Sequence, residues 1–508
     1  MNIGTYLDEK VDRYKERPFL FFYDRLITYE AFGKQVDALA HGLASRGFKK
    51  GDFIHVLVQN SPETLLCYFA IQKIGAIAGP INGWWKSDEL LYLLNDSRAQ
   101  GLIIESQYLP VLDPIRDRCP SLETVIEIGA SPRPEHVDFR RLLHDSPGQP
   151  YLCTEAEEEP AYIFYTSGTT GSPKGVLLSH RNVFEDIRSF QDALVLAEGQ
   201  RILIFLPLFH VNAMLTSTST LDKGGAVVLR KQFSASEFWE VVDKFQVNFF
   251  SAVPAVYNIL LTDPSRDQHG KSSLEFGICG AAPMPVETLR KFEETFGIPI
   301  VEGYGLTEAT CVSTLNPRDG VRKIGSIGLP CPGQEVLILD ENGKELPVGK
   351  PGEIAIRGGT VMMGYHNKPQ ETAESLIDGV LHTGDVGYRD EDGYLFIVDR
   401  LKDMVIRGGE NIYPKEIDSL LAKHPKIKEA ACVGVPDPVL GEEICAYVTV
   451  KDGETLTEAE IAGYCQQHLA DFKIPRYVRI LDQDFPRNAV GKVLKKEMKK
   501  WKITGAKA

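Results

Sequence analysis

Short apolar, β-branched stretches alternate with amphipathic stretches of helical period through most of the chain, and this alternation narrows the fold more than any other feature. Phe53–Val58 reads as a buried strand and Pro62–Lys73 as the helix that follows it; Gly75–Gly79 and Gly101–Ile104 read as the next strands. The rhythm returns at Arg201–Leu206, Ala226–Leu229, Asn248–Ser251 and Phe276–Cys279. That order predicts α/β layers. From about residue 323 shorter strands with Gly and Asp turns take over, at Glu335–Leu339, Glu353–Arg357 and Tyr394–Val398, as in a small β unit. From near 400 helices (Pro414–Lys423, Glu458–Leu469) and strands (Ala430–Val435, Ile444–Val450) make up a small α+β domain. The stretch Lys492–Lys502 reads as a solvated helix face.

At 508 residues the chain exceeds one ordinary core. With 56 Lys and Arg against 70 Asp and Glu its formal charge is −14, which repels a phosphate backbone and makes nucleic acid a poor partner. A small anion can still bind in a local positive pocket. The nine cysteines are scattered, without a CxxC pair or a Cys/His cluster at zinc spacing, and read as small core residues in a reducing compartment. The first residues, through Pro18, carry mixed charge where a signal peptide needs an apolar stretch. The most apolar run, Phe69–Ile81, is broken by Gln72, Lys73 and Pro80, so no integral membrane segment is expected and the cytoplasm is the default location.

The strongest local signal is Tyr165-Thr-Ser-Gly-Thr-Thr-Gly-Ser-Pro-Lys-Gly175, directly after the expected strand Ala161–Phe164. Gly168, Gly171 and Gly175 admit close backbone approach; Thr166, Ser167, Thr169 and Thr170 offer hydroxyls; Lys174 adds a point charge. Such a loop can wrap a polyphosphate. It is not a Walker loop, because Pro173 stands where the second Gly of that motif belongs and Gly175 replaces its final Ser/Thr.

This segment closely resembles the phosphate-binding signature of the adenylate-forming superfamily, which includes acyl-CoA synthetases, adenylation domains of peptide synthetases and firefly-type luciferases. Further family-like motifs follow in the family's order: Leu206-Pro-Leu-Phe-His210, Gly280-Ala-Ala-Pro283, Gly303-Tyr-Gly-Leu-Thr-Glu308, Thr383-Gly-Asp385, Asp399-Arg-Leu-Lys-Asp403, Gly408-Gly-Glu-Asn-Ile-Tyr-Pro414 and Pro486-Arg-Asn-Ala-Val-Gly-Lys492. The resemblance implies a large N-terminal domain over residues 1–399, α/β subdomains plus the small β unit, and a small mobile α+β lid over 400–508, with the hinge near 400–403.

Several matched residues also have a physical case. Glu308 beside Thr307, with Thr166, offers the hard oxygens that suit Mg²⁺ held against ATP phosphates. Tyr304, between two glycines, can lay its ring on adenine, with the slim Gly280, Ala281, Ala282 and Pro283 as facing wall. Other roles come from the resemblance alone. It implies Asp385 on the ribose hydroxyls, Arg400 on the ribose or α-phosphate, and Lys492 reaching from the lid to the carboxylate and α-phosphate during adenylation. It also implies Lys402 as the hinge, Gly408 and Gly409 lining a pantetheine tunnel once the lid rotates, and His210 bordering the acyl carboxylate and gating the thiol. Amino-acid-activating relatives usually carry Asp at the His210 position, which argues against an amino-acid substrate.

The resemblance therefore implies an AMP-forming acyl-CoA ligase using ATP, Mg²⁺ and CoA. Acetate-specific relatives have Trp two residues before Thr307, where this chain has Gly305, so the pocket floor is expected to be open. Val211, Met214, Val253, Cys279, Ala309 and Val312 are the candidate lining, small or apolar, which favours a medium- or long-chain fatty acid or an aryl acid. The same motifs leave open a carrier protein as thiol acceptor, luciferase chemistry, nucleotide binding without turnover, and a homodimer as the oligomeric form.

Overall fold

The computed structural model describes residues 2–145, 149–152, 156–166, 173–267, 273–407, 410–437, 440–469, 471–487 and 493–501; the side chains of Arg400, Lys402, Glu410, Asn411 and Phe472 also fall outside the described set. The chain packs as two compact units, residues 1–336 with 356–382, and residues 337–355 with 383–508. It is a mixed α/β protein with a large N-terminal and a small C-terminal domain.

The first unit holds two sheets. One has eight strands in the order 364–365, 174–179, 160–166, 77–80, 53–57, 101–105, 124–128 and 137–138. It is parallel from 160–166 onward, and antiparallel where 174–179 and 364–365 join. The other has nine, in the order 329–330, 314–315, 300–304, 276–279, 249–252, 201–204, 226–229, 18–22 and 25–28, parallel from 300–304 to 18–22. Parallel strands are covered on both faces, so they read as unbroken apolar runs. Ile77–Pro80, Ala226–Leu229, Phe249–Ala252 and Phe276–Cys279 are buried at every position. The strand expected at Gly75–Gly79 lies at Ile77–Pro80, because Gly75 takes a left-handed turn (φ 74°) out of the preceding helix.

Helix Pro62–Lys73 forms where its signals put it, with Pro62 in the first turn and the Ser61 hydroxyl accepting the Thr64 N–H at 3.3 Å. Its last residue, Lys73, is fully buried. The ammonium lies 2.5 Å from both Asp8, on helix Ile3–Tyr14, and Asp37, on helix Tyr29–Ser45. Desolvating a lone ammonium costs several kcal/mol, and two carboxylates offset it while stapling three helices together.

In the second unit a five-stranded sheet carries 405–407, 410–412, 427–437, 441–450 and 477–480, packed by helices Pro414–Leu421 and Glu458–His468 through Val405, Ile412, Ile417, Leu421 and Ile461. A further sheet has strands 334–339, 352–358, 376–377, 380–389 and 395–400. Strand 395–400 meets helix Pro414–Leu421 directly: Lys415 N–H donates to Asp399 Oδ2 at 2.7 Å. The C-terminal lysines depart from expectation. Lys496 and Lys500 are exposed, but Lys495 turns inward to Asp418 at 2.7 Å. The cause is the apolar neighbour: Met498 is wholly buried against strands 427–437 and 441–450, with Trp501 packed beside it.

Among the described residues no helix is long and apolar enough to cross a membrane. The eight described cysteines are all unpaired, and only Cys311 is not buried.

Replacing Lys73 by Ala removes the cation from between Asp8 and Asp37. The expected cost is about 3–5 kcal/mol in denaturant unfolding, with a smaller loss for Asp37→Asn, which keeps Asp8 in place. A loss below about 1 kcal/mol for Lys73→Ala would mean the staple carries no weight.

Candidate active site

Strands Pro160–Thr166 and Lys174–Ser179 flank the Gly/Ser/Thr loop, and Thr166 stands opposite Lys174 in their register. Ser167, Gly168, Thr169, Thr170 and Gly171 lie outside the described residues. The Lys174 ammonium rests 4.7 Å over the ring of Tyr365. The hydroxyl of the same tyrosine donates to Glu308 Oε1 at 3.0 Å. Burial and the Glu308 charge push the Tyr365 phenol up, so it keeps its proton and acts as donor. Two expected site residues, Lys174 and Glu308, are thus brought together by one that sequence reasoning did not select.

Glu308 sits in a single helical turn, Thr307–Ala309, that ends at Thr310 in an unusual conformation (φ 67°, ψ −53°). The turn is held from behind: Met362 N–H donates to Glu308 O at 2.9 Å, and the Thr310 hydroxyl donates to Thr360 O at 2.6 Å. Tyr304 ends strand Ile300–Tyr304, opposite Thr314. Strand Phe276–Cys279 runs parallel beside it, which brings Gly280 next to Gly303. Ala281, Ala282 and Pro283 are exposed at the same ends of these strands, with Ala281 at φ 66°. Of the parts expected to enclose adenine, Gly280 stands beside Gly303, the residue before Tyr304.

Gly305 does not do what its sequence position implies. A Cβ there would stand 1.6 Å from the Cys311 carbonyl oxygen and 2.9 Å from Val312 Cα. The residue is glycine because its backbone lies flat on the Cys311–Val312 peptide, not because a side chain has been cleared from a pocket floor. That peptide is fixed in turn, since Val312 N–H points at Asp186 Oδ1 at 3.4 Å and Val312 O accepts from Gln334 Nε2 at 2.7 Å. Burial pushes the Asp186 carboxyl well up. Of the candidate acyl lining, Met214, Cys279, Ala309 and Val312 are buried by the protein itself, and Cys279 belongs to the apolar cluster around Phe250 and Tyr257. Val211 and Val253 keep partial exposure.

His210 is the N-cap of helix Val211–Asp222. Its segment is positioned by Asn60, at the end of the neighbouring sheet's strand Phe53–Leu57. Asn60 Nδ2 donates to Leu206 O at 2.9 Å and Arg230 O at 3.1 Å, while its Oδ1 accepts from Leu208 N–H at 2.7 Å. The His210 ring packs on Phe209 (4.4 Å between centroids), and Phe209 meets the exposed Trp84 edge-to-face at 5.5 Å. Nε2 of His210 is buried without a hydrogen-bond partner among the described residues, and burial pushes the imidazole down to about 4. It is a neutral ring with a free nitrogen, and a polar group of a ligand would satisfy it.

In the second unit Asp385, nearly buried, stands opposite Arg400 in the register of strands 380–389 and 395–400. Its N–H donates to the Thr383 hydroxyl at 3.1 Å. The side chains of Arg400 and Lys402, and the whole of Gly408, Gly409 and Lys492, lie outside the described residues.

Tyr365 and Asn60 had faint signals. Gly364-Tyr365 reads as a turn before the helix signalled by Pro369, and Asn60 as one more polar residue before the Ser61 cap. Only pairing with distant strands gives either a role.

Two family descriptions match the chain: "AMP-binding enzyme" over residues 7–366 and "AMP-binding enzyme C-terminal domain" over residues 416–492. A sulfoacetate–CoA ligase of Cupriavidus necator is 35% identical over 490 residues, 95% of this chain and 94% of that one. A long-chain-fatty-acid–CoA ligase of Bacillus subtilis is 32% identical over 525 residues, 98% of this chain and 94% of its own. ATP-bound MatB from Rhodopseudomonas palustris matches with a TM-score of 0.91 at 30% identity, covering 98% of each chain.

Gly305→Ala is expected to displace the Tyr304–Glu308 segment, lowering the thermal midpoint and raising the KM for ATP at least tenfold; an unaltered midpoint and KM would show that the Cys311 contact is soft. Acid stability supplies a second test. His55 and His210 are both held down to about 4 by burial, against roughly 6.5 in an unfolded chain. Between those values the unfolded state binds protons that the folded state does not, so stability falls as pH drops from about 6.5 towards 4. The thermal midpoint should decline across that window, less steeply in His210→Gln; equal slopes would contradict the burial argument for His210.

Proposed function

Since this chain belongs to the AMP-binding enzyme family and is an AMP-forming acid–CoA ligase that uses ATP, Mg²⁺ and CoA, we propose the roles its residues take and the acid it activates. The observation that carries the reading is the line Lys174–Tyr365–Glu308, a cation and a carboxylate one tyrosine apart beside the loop. A triphosphate with a divalent ion needs that pairing of charges.

In the first half-reaction the acid's carboxylate oxygen attacks the α-phosphorus of ATP, and pyrophosphate leaves from the opposite side. Ser167, Gly168, Thr169, Thr170, Gly171 and Lys174 hold the β- and γ-phosphates with N–H groups, hydroxyls and one ammonium. Glu308 and Thr166 would hold Mg²⁺; carboxylate and hydroxyl oxygens without thiol or imidazole fit that ion, which neutralises phosphate charge. Tyr304 covers adenine against Gly280, Ala281, Ala282 and Pro283, while Gly305 and Thr307 complete the backbone under the nucleotide. Asp385 and Arg400 take the ribose and α-phosphate. Lys492 draws the two anions together and stabilises the charge at the reacting phosphorus.

In the second half-reaction the lid turns about Lys402, carrying Lys492 out and Gly408-Gly409 to the thiol path. The CoA sulfur attacks the acyl carbon of the mixed anhydride, and AMP leaves with the bonding electrons. During the first half-reaction His210, neutral, meets the acid's carboxylate through Nε2, which has no partner among the described residues.

For the acid we favour an apolar chain, a medium- or long-chain fatty acid, with an aryl acid as the second reading. The support is the absence of a charged side chain among Val211, Met214, Val253, Cys279, Ala309 and Val312. The closed face of Gly305 removes one argument for a deep pocket and puts the weight on the partly exposed Val211 and Val253. The unpaired cysteines suit a cytoplasmic enzyme.

Pyrophosphate release with MgATP and CoA should be measured with acetate, butyrate, octanoate, palmitate, benzoate, 4-coumarate, malonate, oxalate and sulfoacetate. The expected maximum is octanoate or palmitate; a maximum at sulfoacetate, oxalate or malonate would refute the apolar reading. Lys492→Ala should lower acid-dependent pyrophosphate exchange by about 10²–10³ and leave thioester formation from supplied acyl-adenylate near wild type. Equal loss in both half-reactions would contradict the role of Lys492.

A further inference from the structure

Residues 360–366 touch both charged ends of the nucleotide site. On one side Thr360 O and Met362 N–H hold the backbone of the Glu308 turn, and the Tyr365 hydroxyl reaches Glu308 Oε1 at 3.0 Å. On the other the segment is an added strand on the phosphate-loop hairpin: Gly364 pairs with Leu177, Tyr365 with Val176, and His366 N–H donates to Gly175 O at 2.7 Å. Tyr365 is where the two sides converge, its rim on the carboxylate and its face under the Lys174 ammonium at 4.7 Å.

A carboxylate at the end of two methylenes on a one-turn helix has torsional freedom that a metal ligand must lose on binding. A charge-assisted hydrogen bond to one oxygen removes part of that freedom beforehand. The ring acts differently on Lys174. Cation–π attraction holds the ammonium near the loop yet is weaker than an ammonium–phosphate pair, so a triphosphate can take the cation away.

We propose that Tyr365 is a positioning residue for MgATP: its hydroxyl aims the Glu308 carboxylate at the metal, and its ring parks Lys174 until the phosphates arrive. The inference rests on the reading of Glu308 as metal ligand and Lys174 as phosphate ligand.

ATP binding to the purified full-length enzyme, measured by calorimetric titration with Mg²⁺ and again with EDTA, separates the two roles. Tyr365→Phe keeps the ring and loses the hydroxyl; it should weaken binding about tenfold in Mg²⁺ and less than twofold in EDTA, where unaltered binding also certifies an intact fold. Glu308→Gln is the control for the underlying reading and should show the same Mg²⁺-selective loss, larger in size. If Glu308→Gln is Mg²⁺-selective but Tyr365→Phe weakens both conditions equally, or neither, the positioning role is overturned. If Glu308→Gln shows no Mg²⁺-selective loss, the metal assignment fails and the inference falls with it. Tyr365→Leu, which removes the ring as well, should bind metal-free ATP no more weakly than Tyr365→Phe; a further tenfold loss would overturn the parking of Lys174.

Discussion

Two parallel sheets can build one site at their carboxyl ends only if something fixes one end against the other, and the Asn60 side chain is one such tie. It is nearly buried, and both ends of the amide are engaged by the 206–208 segment and Arg230 of the second sheet. An amide enclosed without these partners would cost about 1–3 kcal/mol for each group left unpaired, so the clamp holds one register or none. Tyr68 adds a hydroxyl bond to Leu208 O at 3.3 Å from the adjacent helix. His210 two residues later, the start of its helix, and the Asn212 contact with the Cys311 thiol all follow from where this segment is held.

The electrostatics divide along the same line. Towards the Gly/Ser/Thr loop the groups are charged and partly open: Lys174, Glu308, and a tyrosine that keeps its proton between them. Around the start of helix Val211–Asp222 they are enclosed and lean to neutrality, the His210 ring pushed down and the Asp186 carboxyl pushed up by the same desolvation. A site that must stabilise transferred phosphate charge and also shelter an activated acyl group from water benefits from both surroundings within one unit.

The sequence made the scaffold legible because parallel strands buried on both faces leave unbroken apolar runs, as at Ala226–Leu229 and Phe276–Cys279. Glu308 and Lys174 stood out as candidates too, since neighbours in the chain mark them. Tyr365 was not, because its meaning comes from a strand 57 residues from Glu308. Gly305 was read for the side chain it lacks, whereas the direction of that missing side chain is set by the backbone six residues on. Lys495 was counted with a solvated lysine run, and the burial of Met498 on the same short helix turned it towards Asp418. Each miss is a tertiary contact overruling a correct local reading.

The flat contact between Gly305 and the Cys311 peptide has a consequence for how such an enzyme changes over evolutionary time. A wall made of backbone offers almost no side-chain vocabulary: replacing Gly305 meets a carbonyl, and Cys311 and Val312 are committed through their main chain. The start of helix Val211–Asp222 and Val253 present ordinary side chains to their surroundings. With the proposed roles, drift in acid preference has its accessible steps on the Val211 and Val253 side, while the Gly305 side stays frozen. A lineage with this architecture can exchange one carboxylic acid for another without renegotiating ATP.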